Sequence, residues 1–137
     1  MEYRITLPLK ISVYKSKKTG KDTFFTLNLN QYRKASYIVL NNAKINFKKE
    51  ISSSLSILSK FSHPIGLEFI VYPGSKRLCD ISNICSIEDK FFCDALVELG
   101  YLEDDNYTII KYSHYSFGNV DKSNPRCEVI IKELSND

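Results

Sequence analysis

The chain has 137 residues, 19 of them basic and 16 acidic, for a net charge of +3. That length suits one domain, 1–137, built on one real core, and leaves no second domain to assign. The opening MEYRITLPLKISVYK alternates apolar and charged residues and no run approaches the roughly 18 to 20 apolar residues of a membrane span, so a cytoplasmic protein without a secretory leader is expected.

In chain order, Tyr3 to Tyr14 reads as a strand. The basic loop Lys15 to Lys21 reads as a hairpin tip, with TFFTLNL (Thr23 to Leu29) as the return strand. Asn30 can cap a long helix from about Gln31 to Leu58. Tyr37, Leu40, Ala43, Ile45 and Phe47 would form its buried side, with Arg33, Lys34, Lys44, Lys48 and Lys49 on the other. After the break at Ser62-His63-Pro64, Ile65 to Tyr72 (IGLEFIVY) has the composition of an interior strand and ends at Pro73-Gly74. From Ile84 to Leu99, Ile84, Ile87, Phe91, Ala95 and Leu99 recur at helical spacing, widened by Phe92 and Leu96, with Gly100 placed to cap the C-terminus. Tyr107 to Tyr112 and Glu128 to Leu134 complete the strands. The fold class is therefore α/β (α+β), a single-domain mixed sheet with two main helices packed on it.

The charge is not spread evenly. Asp80, Glu88, Asp89, Asp94, Glu98, Glu103, Asp104 and Asp105 fall in one segment whose only base is Lys90, while the rest of the chain holds 18 bases against 8 acids. Such segregation fits a protein that grips a polyanion with a basic surface and handles it with carboxylate-bound metal. Ser86, Asp89, Lys90, Cys93 and Asp94 share the non-apolar face of the second helix, and Asp80 and Asp104-Asp105 occupy the loops on either side of it. Taken singly, Asp80 and Asn83 could make an Asx turn or helix cap, Asp104-Asp105-Asn106 a turn, and Lys90 with Asp94 an exposed ion pair. Cys79, Cys85, Cys93 and Cys127 form no C-x-x-C pair, which points to reduced thiols, and His63 and His114 lack ligand spacing, so zinc is not expected.

These residues resemble the RusA-type Holliday-junction resolvases, especially their phage-encoded branch. Asp80-Ile-Ser-Asn83 is similar to that family's Asp-x-Asp-Asn element, the stretch from Asp89 to Gly100 to its Lys-x-x-x-Asp-Ala-Leu helix, and Asp104-Asp105 to the Asp-Asp that follows. Leu27 to Arg33 (LNLNQYR) and the opening Ile5-Thr-Leu-Pro8 extend the likeness over most of the chain. The resemblance implies a homodimeric α/β endonuclease of the host cytoplasm that binds four-way junctions. With magnesium, or manganese in its place, it would nick two opposing strands symmetrically. It makes Asp80 and Asp105 metal ligands and Lys90 the catalytic or phosphate-contacting lysine, with Asn83, Asp94 and Asp104 in support. Two departures stand out: Ser82 occupies the place of a second essential aspartate, and the interval from Asn83 to Lys90 is longer by four residues, about one helical turn. Asp89 is therefore expected to replace the missing carboxylate.

The bases Lys15, Lys17, Lys18, Lys21, Arg33, Lys34, Lys76 and Arg77 would hold backbone phosphates, reading shape more than sequence. A non-catalytic branched-DNA-binding protein of the same fold is the competing expectation, supported by Ser82. A small-molecule phosphate enzyme is disfavoured, because the five glycines form no Walker or Gly-x-Gly-x-x-Gly loop.

Overall fold

The computed structural model describes residues 1–135. Six strands and three helices follow in the order β1 (Glu2–Leu7), β2 (Lys10–Lys15), β3 (Asp22–Thr26), α1 (Leu29–Lys34), α2 (Tyr37–Ser52), β4 (Ile65–Tyr72), α3 (Ile81–Glu98), β5 (Ile110–Phe117) and β6 (Arg126–Glu133), with a short 3-10 turn at Ser54–Ile57. The main sheet is mixed, in the order β1-β6-β4-β5, with β4 and β5 parallel and the other pairs antiparallel. Parallel neighbours need a crossover, and α3 is that crossover. Among the described residues, no helix is long and apolar enough to cross a membrane.

The mixed α/β class stands as expected, but several boundaries move. The first strand divides at Pro8-Leu9, where proline has no N–H to donate. Its second half pairs with β3 as a separate two-stranded sheet instead of joining the main one. The long helix also divides. Asn28, not Asn30, caps α1 by accepting from the Gln31 N–H at 2.8 Å, and Ser36 starts α2 by accepting from Val39 N–H at 3.2 Å. The break resets the helical phase, so Ala43, Phe47 and Ile51, four residues apart, form the buried stripe of α2. Tyr37, at the first position of the helix, is 83% exposed, and Ile45, two residues off the stripe, is 39% exposed. β5 begins at Ile110 because the carbonyl of Asn106 takes the N–H groups of both Ile109 and Ile110 in a turn.

Helix α3 lies between the sheet and a second layer made of α2 and the β2-β3 hairpin. Phe91 stacks on Phe25 of β3 at 5.9 Å between centroids and meets Phe47 of α2 edge-on at 5.6 Å. Its neighbour Phe92 meets Phe69 of β4 edge-on at 6.1 Å. Two adjacent residues thus anchor the two layers. Gly100, at φ +85°, ends α3 in a left-handed cap, with Gly100 N–H donating to Val97 at 3.1 Å and Tyr101 N–H to Leu96 at 2.9 Å. Leu99, expected on the apolar stripe, sits at this cap and is part-exposed. On β4, Gly66 leaves room for the ring of Tyr112 on β5, since a Cβ there would come within 2.0 Å of it. All four cysteines are free thiols, and only Cys79 is exposed.

One core residue breaks the apolar rule. Glu88 is fully buried and neither carboxyl oxygen has a hydrogen-bond partner. Burial pushes its titration well above the ordinary value of 4.5, and with Asp89 it helps burial push the nearby Cys85 thiol up to about 12. The folded state therefore holds a proton that the unfolded chain releases. Stability from this site is full at acidic pH and is lost as pH rises from the usual carboxylate range through the raised folded-state value. Glu88→Met is expected to raise stability at pH 8 by about 1–3 kcal/mol, the cost of an unsatisfied buried polar group, and to flatten the decline between pH 5 and pH 8. Urea titrations across that range check this, and an unchanged slope in the variant would refute it.

Candidate functional site

Helix α3 presents Ser86, Asp89, Lys90 and Cys93 along one side, three and four residues apart. The loop after the Gly100 cap folds back over that side. Asp104 shapes the return: its carboxylate accepts from the Asp105 N–H at 2.8 Å and from the Asn106 side chain at 3.0 Å. Those bonds, the backbone one first, hold its carboxyl below the ordinary range. Asn106 in turn accepts from Thr108 N–H at 2.9 Å. An open cavity of about 450 Å³ results, lined by the α3 residues together with Asp105, Tyr107 and Tyr112. The predicted site residues Asp89, Lys90 and Asp105 thus come together.

The carboxylates of this cavity differ in their surroundings. Asp89 is half-buried and accepts on both oxygens, from the Tyr115 hydroxyl at 2.7 Å and from the Cys93 thiol at 3.1 Å. Burial raises the Tyr115 hydroxyl first and the bond to Asp89 second. Cys93 is raised by burial, then by the negative charges of Asp89, Asp105 and Asp94, which fixes its proton on sulfur. Lys90 is exposed and makes no ion pair among the described residues. The Lys90–Asp94 pair considered from spacing is absent; Asp94 instead faces Lys44 of α2 at 4.0 Å. The Ser86 hydroxyl lines the cavity without a hydrogen-bond partner.

Comparison with models of known protein families found no match, and comparison with curated proteins found none either.

Asp80 lies elsewhere. It occupies the N-cap position of α3 without making a capping bond, and lines a second cavity of about 780 Å³ with Arg77, Asn83, Asn28 and Asn30. The topology explains the separation. Asp80 follows the C-terminal end of β4, whereas Asp105 precedes β5, whose first residue Ile110 pairs with Ile65 at the opposite end of β4. The loops before and after α3 therefore do not share one end of the sheet, and nine helical residues put Asp80 roughly 13 Å along the axis from Asp89. Among the described residues, no three His, Cys, Asp or Glu side chains converge to hold a metal ion. Two carboxylates in one open cavity are nonetheless the donor set that magnesium ordinarily takes, with waters and a substrate phosphate completing its shell.

The bases expected to hold phosphates lie outside the cavity. Lys15, Lys17, Lys18 and Lys21 project from the hairpin tip, Arg33 and Lys34 from the last turn of α1, and Lys76 and Arg77 from the loop before α3; all are exposed, and none makes an ion pair among the described residues. Tyr115, 26 residues from Asp89, had no sequence signal: it is one more aromatic in a strand, and only the parallel pairing of β5 with β4 turns it toward α3.

Asn83 serves the start of α1. Its side chain accepts from the Leu29 N–H at 3.1 Å, joining the start of α1 to α3 and so bringing the 27–33 motif against the 80–83 motif. Asn83→Ala strands that N–H and is expected to cost about 1–3 kcal/mol, with faster hydrogen exchange at the Leu29 amide. Unchanged exchange there would mean that the bond does not hold α1.

Proposed function

We propose that the protein is a metal-dependent endodeoxyribonuclease that acts on branched DNA, in the manner of the RusA-type resolvases its motifs resemble, and works as a homodimer on four-way junctions. The observation that carries this reading is the convergence of Asp89, Lys90 and Asp105 on one open cavity, with an exposed and unpaired set of bases distributed elsewhere on the surface. Asp89 and Asp105 would hold magnesium, or manganese in its place, which when bound would orient water and stabilise charge on the scissile phosphate. The chain's own part is then definite. Lys90, exposed and unpaired among the described residues, neutralises phosphate charge at the cavity mouth. Asp104 keeps Asp105 turned inward through the loop hydrogen bonds. The hairpin and α1 bases hold flanking backbone phosphates without reading base edges.

One observation favours a second reading, a branched-DNA-binding protein with little or no cleavage: Asp80 and Ser82 contribute no carboxylate to the cavity. A nicking assay on a synthetic four-way junction separates the two. Under the nuclease reading, the wild type nicks in magnesium, Asp89→Asn and Asp105→Asn lose orders of magnitude in rate while still binding junctions, and Asp80→Asn and Ser82→Ala lose less. Wild type that binds junctions but never nicks them decides for the binding protein.

Binding itself should not require metal, because the unpaired bases stand apart from the carboxylates. In chelator the protein is expected to bind junctions more tightly than linear duplex, with affinity falling by about 0.9 logarithmic units per neutralised phosphate for each tenfold rise in salt. A flat salt response would remove the hairpin and α1 bases from the interface.

A further inference from the structure

Several carboxylates elsewhere in this protein are matched by cations, although the buried Glu88 is not. Glu128 lies between Arg4 and Arg126, and the Arg126 contact is 2.7 Å. Glu98 pairs with Lys48 at 2.6 Å, and Asp121 with Arg126 at 2.8 Å. Asp89 departs from this pattern. It is half-buried, accepts from two neutral donors, and has no cationic partner among the described residues, while a second carboxylate, Asp105, lines the same cavity. Its carboxylate is thus held in place by neutral groups, and Lys90 of the same cavity makes no ion pair with it.

The two donors come from different elements. Cys93 is one turn along α3, and Tyr115 stands on β5 with its ring edge-on to Phe69 at 5.9 Å. Two bonds in different directions fix the plane of the carboxylate, and each oxygen keeps a lone pair free for a further ligand. Outer partners of this kind orient metal-binding side chains, and their loss typically lowers metal affinity 10- to 100-fold.

We infer that Tyr115 is a positioning residue for a divalent-cation site at Asp89 and Asp105, acting through its hydroxyl bond to Asp89, with Cys93 as its partner on the other oxygen. This inference rests on the proposed metal site but not on nuclease activity. A purely structural role is the competing account, since a part-buried tyrosine hydroxyl needs an acceptor in any case and the bond also ties the edge strand to α3.

The test measures Mn²⁺ binding to the full chain by electron paramagnetic resonance, beside urea stability, for wild type, Tyr115→Phe, Cys93→Ala and Cys93→Ser. Tyr115→Phe keeps the ring contact with Phe69 and removes only the donor. The expected result is a roughly 10- to 100-fold loss of Mn²⁺ affinity in Tyr115→Phe, a loss in Cys93→Ala, and recovery in Cys93→Ser, which restores a donor. Unchanged affinity in Tyr115→Phe with lowered stability overturns the inference in favour of a tether. Wild type that binds no Mn²⁺ overturns it as well. Should Tyr115→Phe fail to fold, the Cys93 pair decides by the same readout. Wild type that binds Mn²⁺ but nicks no junction ends the nuclease reading and leaves the positioning role to be judged on affinity alone.

Discussion

Everything in this fold turns on the demand placed on α3, which must bury two sides in different layers and still offer a third to solvent. Phe91 and Phe92 meet the first demand, one reaching Phe25 and Phe47, the other Phe69. Adjacent residues on a helix point about 100° apart, so the two contacts leave a sector for Ser86, Asp89, Lys90 and Cys93. The parallel β4-β5 pairing depends on the same helix, because only a crossover of that length brings the chain back to start a parallel neighbour. The site is a by-product of the crossover, built where the returning loop passes over the sector left free.

Electrostatics within the molecule follow a division of labour. Glu98, Asp121 and Glu128 are satisfied by nearby cations and knit elements together, Glu128 joining β1 to β6 through Arg4. Asp89 and Asp105 are held by hydrogen bonds from neutral groups or by loop geometry, and neither makes an ion pair among the described residues. Glu88 belongs to neither group. It sits one residue before Asp89, about 100° round the helix, and is buried in the core, so the acidic run seen in the sequence contains residues with unrelated fates. A count of charges in a segment cannot distinguish them, because helical geometry sends neighbours to different environments.

The parts of the fold legible in the sequence were those with strong local patterning. The apolar run of β4, the stripe of α3 up to Leu96 and the glycine that stops the helix, and the basic hairpin tip stand where periodicity and turn chemistry put them. The single long helix from Gln31 was wrong because Asn28 and Ser36 are each good caps, and nothing local says which serine or asparagine in a polar stretch is used. Of the residues expected at the site, Asp89, Lys90 and Asp105 line one cavity, since two share a helix face and the third belongs to a recognisable turn. Asp80 was misplaced relative to them because strand pairing decides which end of a sheet a loop occupies, and that pairing is non-local. Tyr115 was invisible for the same reason.

The close approach at Gly66 has a consequence for how this chain tolerates change. A methyl group there would not open a hole or strain the backbone; it would displace the ring of Tyr112, which stacks with His114 at 4.5 Å and forms part of the cavity wall. Position 66 lies near the start of an interior strand, yet a side chain there is expected to alter the shape of the cavity through Tyr112.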